Sequence, residues 1–145
     1  MLDAADLVDA IRALVRATDA FRFRQGARAG LSLAETTTLV ELLRRQPLRA
    51  KQIQEITGLT QGSITPLLDR LDARGLTERS RPPHDKRTVA VMLTPEGERV
   101  ATELVEPLAD LVRQSLGQPG LPAPAVMVGF LHHLATVVRD HVTAG

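Results

Sequence analysis

Hydrophobic residues recur every three or four positions along most of the chain, which is the spacing of an amphipathic helix. Six segments with this spacing are predicted to be helices: residues 2–23, 32–46, 49–57, 61–74, 95 to about 116, and about 125–142. Glycine and proline punctuate the segments, and Asp3 and Ser32 are good N-caps for the first two. The pattern therefore predicts a mainly helical protein.

The pattern changes after the fourth helix to two short β-prone runs, Leu76–Arg79 and Thr88–Leu93, which the basic loop Ser80–Arg87 joins. Before them, a short turn that starts with Gly58 connects the third and fourth helices. Two short helices joined in this way form a helix–turn–helix, and a β-hairpin behind it is a wing. The predicted fold is mainly α with a small β-wing, a winged helix–turn–helix flanked by N- and C-terminal helices.

Length and element order predict one domain over residues 1–145. We assign residues 32–97 to the winged helix–turn–helix lobe, and residues 1–26 and 98–145 to dimerisation helices. The last helix is apolar on more than one side, which a single small neighbour does not cover. One interpretation is a larger all-helical core within one chain. The other, which two-fold symmetric DNA recognition favours, is a homodimer whose terminal helices interdigitate.

Charge is spread unevenly although the net charge is only +1. Eight basic residues face five acidic ones between Arg49 and Arg87, whereas three face six from Thr94 onward. A basic centre fits a surface that meets phosphate. The chain has no cysteine, which excludes disulfides and thiol-based sensing. With no long apolar run and no signal-peptide pattern at the N-terminus, we expect a cytoplasmic protein without a membrane partner.

The exposed side of the fourth helix and the wing form the predicted DNA-binding surface. Short polar side chains near a helix N-terminus suit base edges and phosphates, and a cationic loop suits a narrow minor groove. The predicted contacts are Gln61, Gly62, Ser63, Thr65, Arg70, Arg79, Arg81, His84, Lys86 and Arg87. Asp85 is expected to hold Arg87 by an ion pair, and Asp69 to orient Arg70. The alternative is a solvated helix face beside a mobile hairpin.

Metal binding and catalysis have little support in the sequence. Of the four histidines, His132 and His133 are adjacent and would point about 100° apart on a helix. We therefore predict no metal site. No nucleophile–base spacing, phosphate-binding glycine loop or paired acid motif is present, so we expect neither an enzyme nor a cofactor. Pro66, early in the fourth helix, is expected to bend or tighten its first turn.

The run from Leu68 to Gly97, LDRLDARGLTERSRPPHDKRTVAVMLTPEG, resembles the multiple antibiotic resistance regulator (MarR) family. The features that carry the resemblance are Leu68-Asp69-Arg70-Leu71, Gly75-Leu76, Arg79, Asp85-x-Arg87 and Leu93-Thr94-x-x-Gly97. It implies an obligate homodimer that binds pseudo-palindromic double-stranded DNA, usually as a repressor. It also implies recognition helices in successive major grooves, and wings in the minor grooves with Arg87 inserted and Asp85 supporting it.

The resemblance also implies an effector. Many members release DNA when a small amphipathic or aromatic compound binds between the DNA-reading lobe and the dimer helices. Phe21, Phe23 and Arg24 fall in that region and are our candidate effector pocket. The run Thr65–Leu68 resembles the hydroperoxide-sensing branch, which senses through cysteine. Because this chain has none, that chemistry is excluded and the effector stays open.

Two hypotheses follow, a DNA-binding regulator and a winged-helix module that binds protein instead of nucleic acid. The first predicts salt-sensitive binding to an inverted repeat with half-sites about one helical turn apart. A gel shift with no DNA affinity at low salt would favour the second.

Substitutions on the wing and the fourth helix test the DNA contacts. Arg87→Ala should weaken binding to every duplex, because the wing cation neutralises phosphate, whereas Gln61→Ala should change the sequence preference. Gel shifts on a panel of duplexes measure both effects. If both variants bound like the wild type, the contact assignment would be wrong.

Overall fold

A computed structural model describes residues 3–81, 83–84 and 88–143, and within them the chain forms six helices and three short strands. The helices are α1 (Ala4–Arg28), α2 (Leu33–Arg45), α3 (Ala50–Thr57), α4 (Gln61–Ala73), α5 (Pro95–Ser115) and α6 (Pro124–Thr143). The strands are β1 (Leu48–Arg49), β2 (Thr77–Ser80) and β3 (Ala90–Leu93). The predicted fold class, mainly helical with a small β-wing, is confirmed.

The chain divides into two compact units, one through Leu108 and one from Ala109. The first contains the helix–turn–helix, the sheet and the start of α5, and the second contains the end of α5 and all of α6. Among the described residues, every buried hydrophobic side chain lies in the first unit, between Leu31 and Leu104. None of the described helices is both long and apolar enough to cross a membrane.

The sheet is antiparallel, with strand order β1-β3-β2. Leu48 of β1 pairs with Val91, and Thr77 of β2 pairs with Leu93. Both hairpin strands begin later than the sequence predicted, at Thr77 and Ala90. The sequence did not predict β1, because two residues are too few to show the alternation of a strand.

Capping side chains start the first two helices as predicted. Asp3 accepts hydrogen bonds from the first turn of α1, and Ser32 forms a capping box with Glu35 at the start of α2. The end of α1 differs from the prediction, since the helix continues to Arg28 instead of stopping near Phe23. Gly26, which follows the predicted end of the first helix, lies inside α1 and is buried. A Cβ at this position would overlap the Thr36 side chain, so the glycine allows α1 and α2 to approach closely.

Gly97 forms a second close approach, between the first turn of α5 and the start of β2. A Cβ there would overlap the backbone carbonyl of Leu76. Thr94, before α5, donates its amide to the same carbonyl at 3.1 Å and its hydroxyl to the carbonyl of Gly75 at 2.5 Å. The start of α5 is therefore docked on the backbone that leads into the wing.

Gly97→Ala tests this docking. The added methyl meets backbone that cannot rotate away, so the variant should lose about 1–3 kcal/mol of unfolding free energy. Urea denaturation of the two proteins measures the difference. Gly117→Ala is the matched control, since a Cβ there meets open space. Its change should stay within about 0.5 kcal/mol, and equal stability of the two variants would contradict the proposed close contact.

Candidate nucleic-acid interface

Helix α4 has one buried side and one exposed side. Ile64, Leu67, Leu68 and Leu71 are at most 4% exposed and lie at helical spacing. The sequence predicted an amphipathic helix over residues 61–74 from its hydrophobic spacing, and the structure confirms it. Because this buried stripe faces the core, the polar side chains of the N-terminal half of α4 face away from it.

The predicted base-contacting residues lie together on the exposed N-terminal half of α4. They are Gln61, Gly62, Ser63 and Thr65, and all four are exposed. The hydroxyls of Ser63 and Thr60, the N-cap residue, are 3.0 Å apart. Pro66 does not interrupt the helix, which continues to Ala73. An exposed helix N-terminus presents backbone amides and a partial positive charge, both of which favour an anion such as phosphate.

A groove of about 380 Å³ lies between α3 and α4, and residues of both helices line it. Lys51 and Gln54 line it from α3, and Gln61 and Thr65 line it from α4. The sequence analysis did not select Lys51 and Gln54. The sequence feature that could have identified them is their spacing of three residues, which places both on the same side of α3. Lys51 thus adds a cation beside the polar N-terminus of α4.

Arg70 is bound to α2. Its Nε donates to Glu35 Oε1 at 2.8 Å, and Glu35 is buried. The expectation that Asp69 orients Arg70 is wrong, because Asp69 accepts from Arg79 instead. Adjacent residues on a helix point about 100° apart, so Arg70 faces α2 while Asp69 faces β2.

Arg79 joins strand β2 to helix α4. Its guanidinium donates to Asp69, and its Nε donates to Asp72 Oδ2 at 2.5 Å. The hydrogen bond to Asp69, ahead of that to Asp72, raises the pKa of Arg79, and burial opposes this only in part. The DNA contact of Arg79 stays a prediction, and the guanidinium binds Asp69 and Asp72 of the same chain.

The structure describes only part of the wing. Arg81 and His84 are exposed. The predicted contacts of Lys86 and Arg87, and the ion pair between Asp85 and Arg87, lie outside the described residues. Among those described, no group of three or more metal-binding side chains occurs.

A cavity of about 450 Å³ lies between the end of α1, the start of β2 and the first turns of α5. Charged side chains that line it are Arg28, Arg74, Glu96, Arg99 and Glu103, and apolar ones are Ala29, Leu76, Val100 and Leu104. Phe21, Phe23 and Arg24 do not line this cavity. Because α1 is five residues longer than predicted, its last turn forms the wall, and Phe23 is 58% exposed.

These features define the chain as a winged helix–turn–helix protein. The model of the MarR family matches residues 31–89. The chain is therefore similar to the MarR family over this segment, and the solved structures described below extend the similarity in fold to nearly the whole chain. The family consists of transcriptional regulators, not enzymes.

Two curated relatives, both from Bacillus subtilis (strain 168), share this segment. An uncharacterized HTH-type transcriptional regulator, YcgE, is 33% identical over 64 residues, which cover 44% of this chain and 42% of the relative. The organic hydroperoxide resistance transcriptional regulator is 32% identical over 68 residues, covering 47% and 46%. The matches therefore span less than half the length of these relatives.

Solved structures resemble nearly the whole chain. The transcriptional regulator BldR from Sulfolobus solfataricus is 26% identical, with a TM-score of 0.69 over 93% of this chain and 99% of BldR. A MarR variant from E. coli, complexed with operator DNA, is 23% identical, with a TM-score of 0.61 over 91% and 92%. Bordetella bronchiseptica BpsR, whose DNA binding is regulated by 6-hydroxynicotinic acid, is 26% identical, with a TM-score of 0.61 over 91% and 98%.

The pKa of Glu35 lies below its ordinary value of 4.5. Burial, the largest single influence, raises the pKa, but the hydrogen bonds with Ser32 and Arg70 and the charge of Arg70 together outweigh it. A carboxyl whose pKa is lower in the folded chain stabilises the fold above its unfolded-state pKa. This contribution is lost as the pH falls through the folded-state pKa.

Glu35→Gln tests this linkage. The amide mimics the protonated acid, so the variant should be less stable than the wild type near neutral pH. The difference in unfolding free energy should shrink as the pH falls from about 4.5, where the unfolded wild type begins to take up a proton, through the lower pKa of the folded chain. Denaturant unfolding across this range measures it. A difference that stays constant down to the acid limit of folding would contradict the account.

Proposed function

We propose that this chain is a sequence-specific transcriptional regulator that binds a pseudo-palindromic operator as a homodimer and acts as a repressor. The observation that carries the proposal is the exposed polar N-terminal half of α4 beside Lys51, on a helix whose other side is buried in the core. The E. coli MarR variant that is complexed with operator DNA has the same fold, which supports it. The alternative is a winged-helix module that binds protein.

In this proposal α4 enters the major groove. Gln61, Ser63 and Thr65 meet base edges and phosphates, and Gly62 lets the backbone approach closely. Lys51 neutralises a phosphate next to them. The wing, with Arg81 and His84 followed by the cations of its tip, lies against the flanking minor groove.

The apolar surface that α6 and α1 each expose supports the homodimer. No residue of α6 is buried, and Val126 and Val142 are 62% and 74% exposed. On α1, Leu14 and Val15 are 54% and 51% exposed. Apolar surface on this scale marks an interaction site. A second copy is the occupant we propose, because a symmetric pair lets one recognition helix act twice on a palindrome.

The proposal also includes a small amphipathic or aromatic effector that binds this chain. BpsR, with a similar fold, is regulated by 6-hydroxynicotinic acid, which supports a ligand site in this chain. We assign it to the cavity of about 450 Å³, which lies within the usual size range of ligand pockets. Phe21, Phe23 and Arg24 lie earlier on α1, so we place them near the site and not in its wall.

Salt-dependent binding tests the proposed function. Fluorescence anisotropy with labelled duplexes should show affinity that falls linearly in log–log form with salt. Lys51→Ala should reduce the slope by about 0.9, since one phosphate contact is lost. Arg12→Ala, on α1, is the control and should leave the slope unchanged. A wild-type chain that binds no duplex even at low salt would favour the protein-binding module.

A further inference from the structure

Arg70, in the last turn of α4, and Arg74, the C-cap residue of that helix, both contact the segment where α1 ends and α2 begins. Arg70 Nε donates to Glu35 Oε1 at 2.8 Å. Arg74 donates through its two terminal nitrogens to the carbonyl of Gly30 at 2.9 Å and to that of Ala29 at 2.7 Å. These contacts join residues 35 to 45 positions apart in the chain, so this segment and the C-terminal half of α4 are held as one piece.

The acceptors are themselves fixed in place. The Glu35 side chain is only 8% exposed, and its second oxygen accepts from the Ser32 amide at 2.7 Å. Ala29 and Gly30 follow the last turn of α1, where unsatisfied carbonyls and the helix dipole favour a cation. Both arginines therefore bind acceptors that are held in place by other parts of the chain. These contacts restrain the orientation of α4, and we call this restraint the brace.

The Arg70 side chain is 57% exposed, but its Nε is already bound to Glu35. Its charge lies 2.8 Å from a buried carboxylate, so the pair is neutral as a unit. A neutral pair releases no counterion when DNA binds nearby. We propose that Arg70 and Arg74 are positioning residues that set the angle of the recognition helix, and that Arg70 is not a phosphate contact. This inference rests on the proposed function, since it concerns how α4 is presented to DNA.

Salt-dependent anisotropy separates a positioning residue from a phosphate contact. Arg70→Gln should weaken binding about tenfold, within the usual range of coupling between sites, while the salt slope stays at the wild-type value. Lys51→Gln is the comparison, and its slope should fall by about 0.9. Arg74→Gln should behave like Arg70→Gln. Urea unfolding of each variant shows whether it is folded at the binding temperature.

Glu35→Gln gives the opposite expectations for the two roles. If Arg70 contacts phosphate, removing the carboxylate frees the guanidinium and binding tightens. If Arg70 braces the helix, removing its anchor weakens binding, again with an unchanged slope. The double variant that combines Glu35→Gln with Arg70→Gln should lose no more affinity than either single variant. Each of the three variants removes the same ion pair between Arg70 and Glu35. The double variant leaves no buried unpaired charge, so it covers the case in which a single variant fails to fold.

The outcomes separate this inference from the function on which it rests. A wild-type chain that binds no duplex overturns both. A wild type that binds, together with a reduced slope for Arg70→Gln or tighter binding by Glu35→Gln, overturns the brace alone.

Discussion

The buried stripe of α4 determines which side chains this helix exposes. Ile64, Leu67, Leu68 and Leu71 pack into a core that also contains Leu39, Leu42, Ile53 and Val91. Burying each such side chain contributes about 1.5–3 kcal/mol, far more than an exposed polar contact. Burial of this stripe fixes the rotation of α4 about its own axis. That rotation in turn sets the direction in which each other side chain of the helix points. The polar N-terminal half faces outward for that reason.

The cations around α4 have two different environments. Arg70, Arg74 and Arg79 are bonded to acceptors within the chain, which lie on α2, directly after α1, and on α4 itself. Lys51 lies at the open groove between α3 and α4 instead. Arg79 links the wing to α4, and Arg70 links α4 to α2, so the helix is held from both flanks. In the proposed function, a helix held in this way would need little reordering on DNA, which would lower the entropic cost of association.

Local signals made much of this fold predictable. The caps at Asp3 and Ser32 and the apolar stripe of α4 depend on neighbouring residues, and the structure confirms them. The extension of α1 through Gly26 depends instead on contact with Thr36, which spacing does not reveal. The partners of Arg70 and Arg79 likewise depend on how elements pack. The cavity that we propose for an effector likewise depends on packing, because the last turn of α1 lines it beyond the predicted end of that helix.

The central claim is that two copies of this chain present their α4 helices to one DNA duplex. Selection of binding sites from a random-sequence duplex library tests it, since no operator has to be chosen in advance. The account predicts enrichment of an inverted repeat whose half-site centres lie about one helical turn apart. A pool that stays random through successive rounds, or that converges on one asymmetric site, would contradict it.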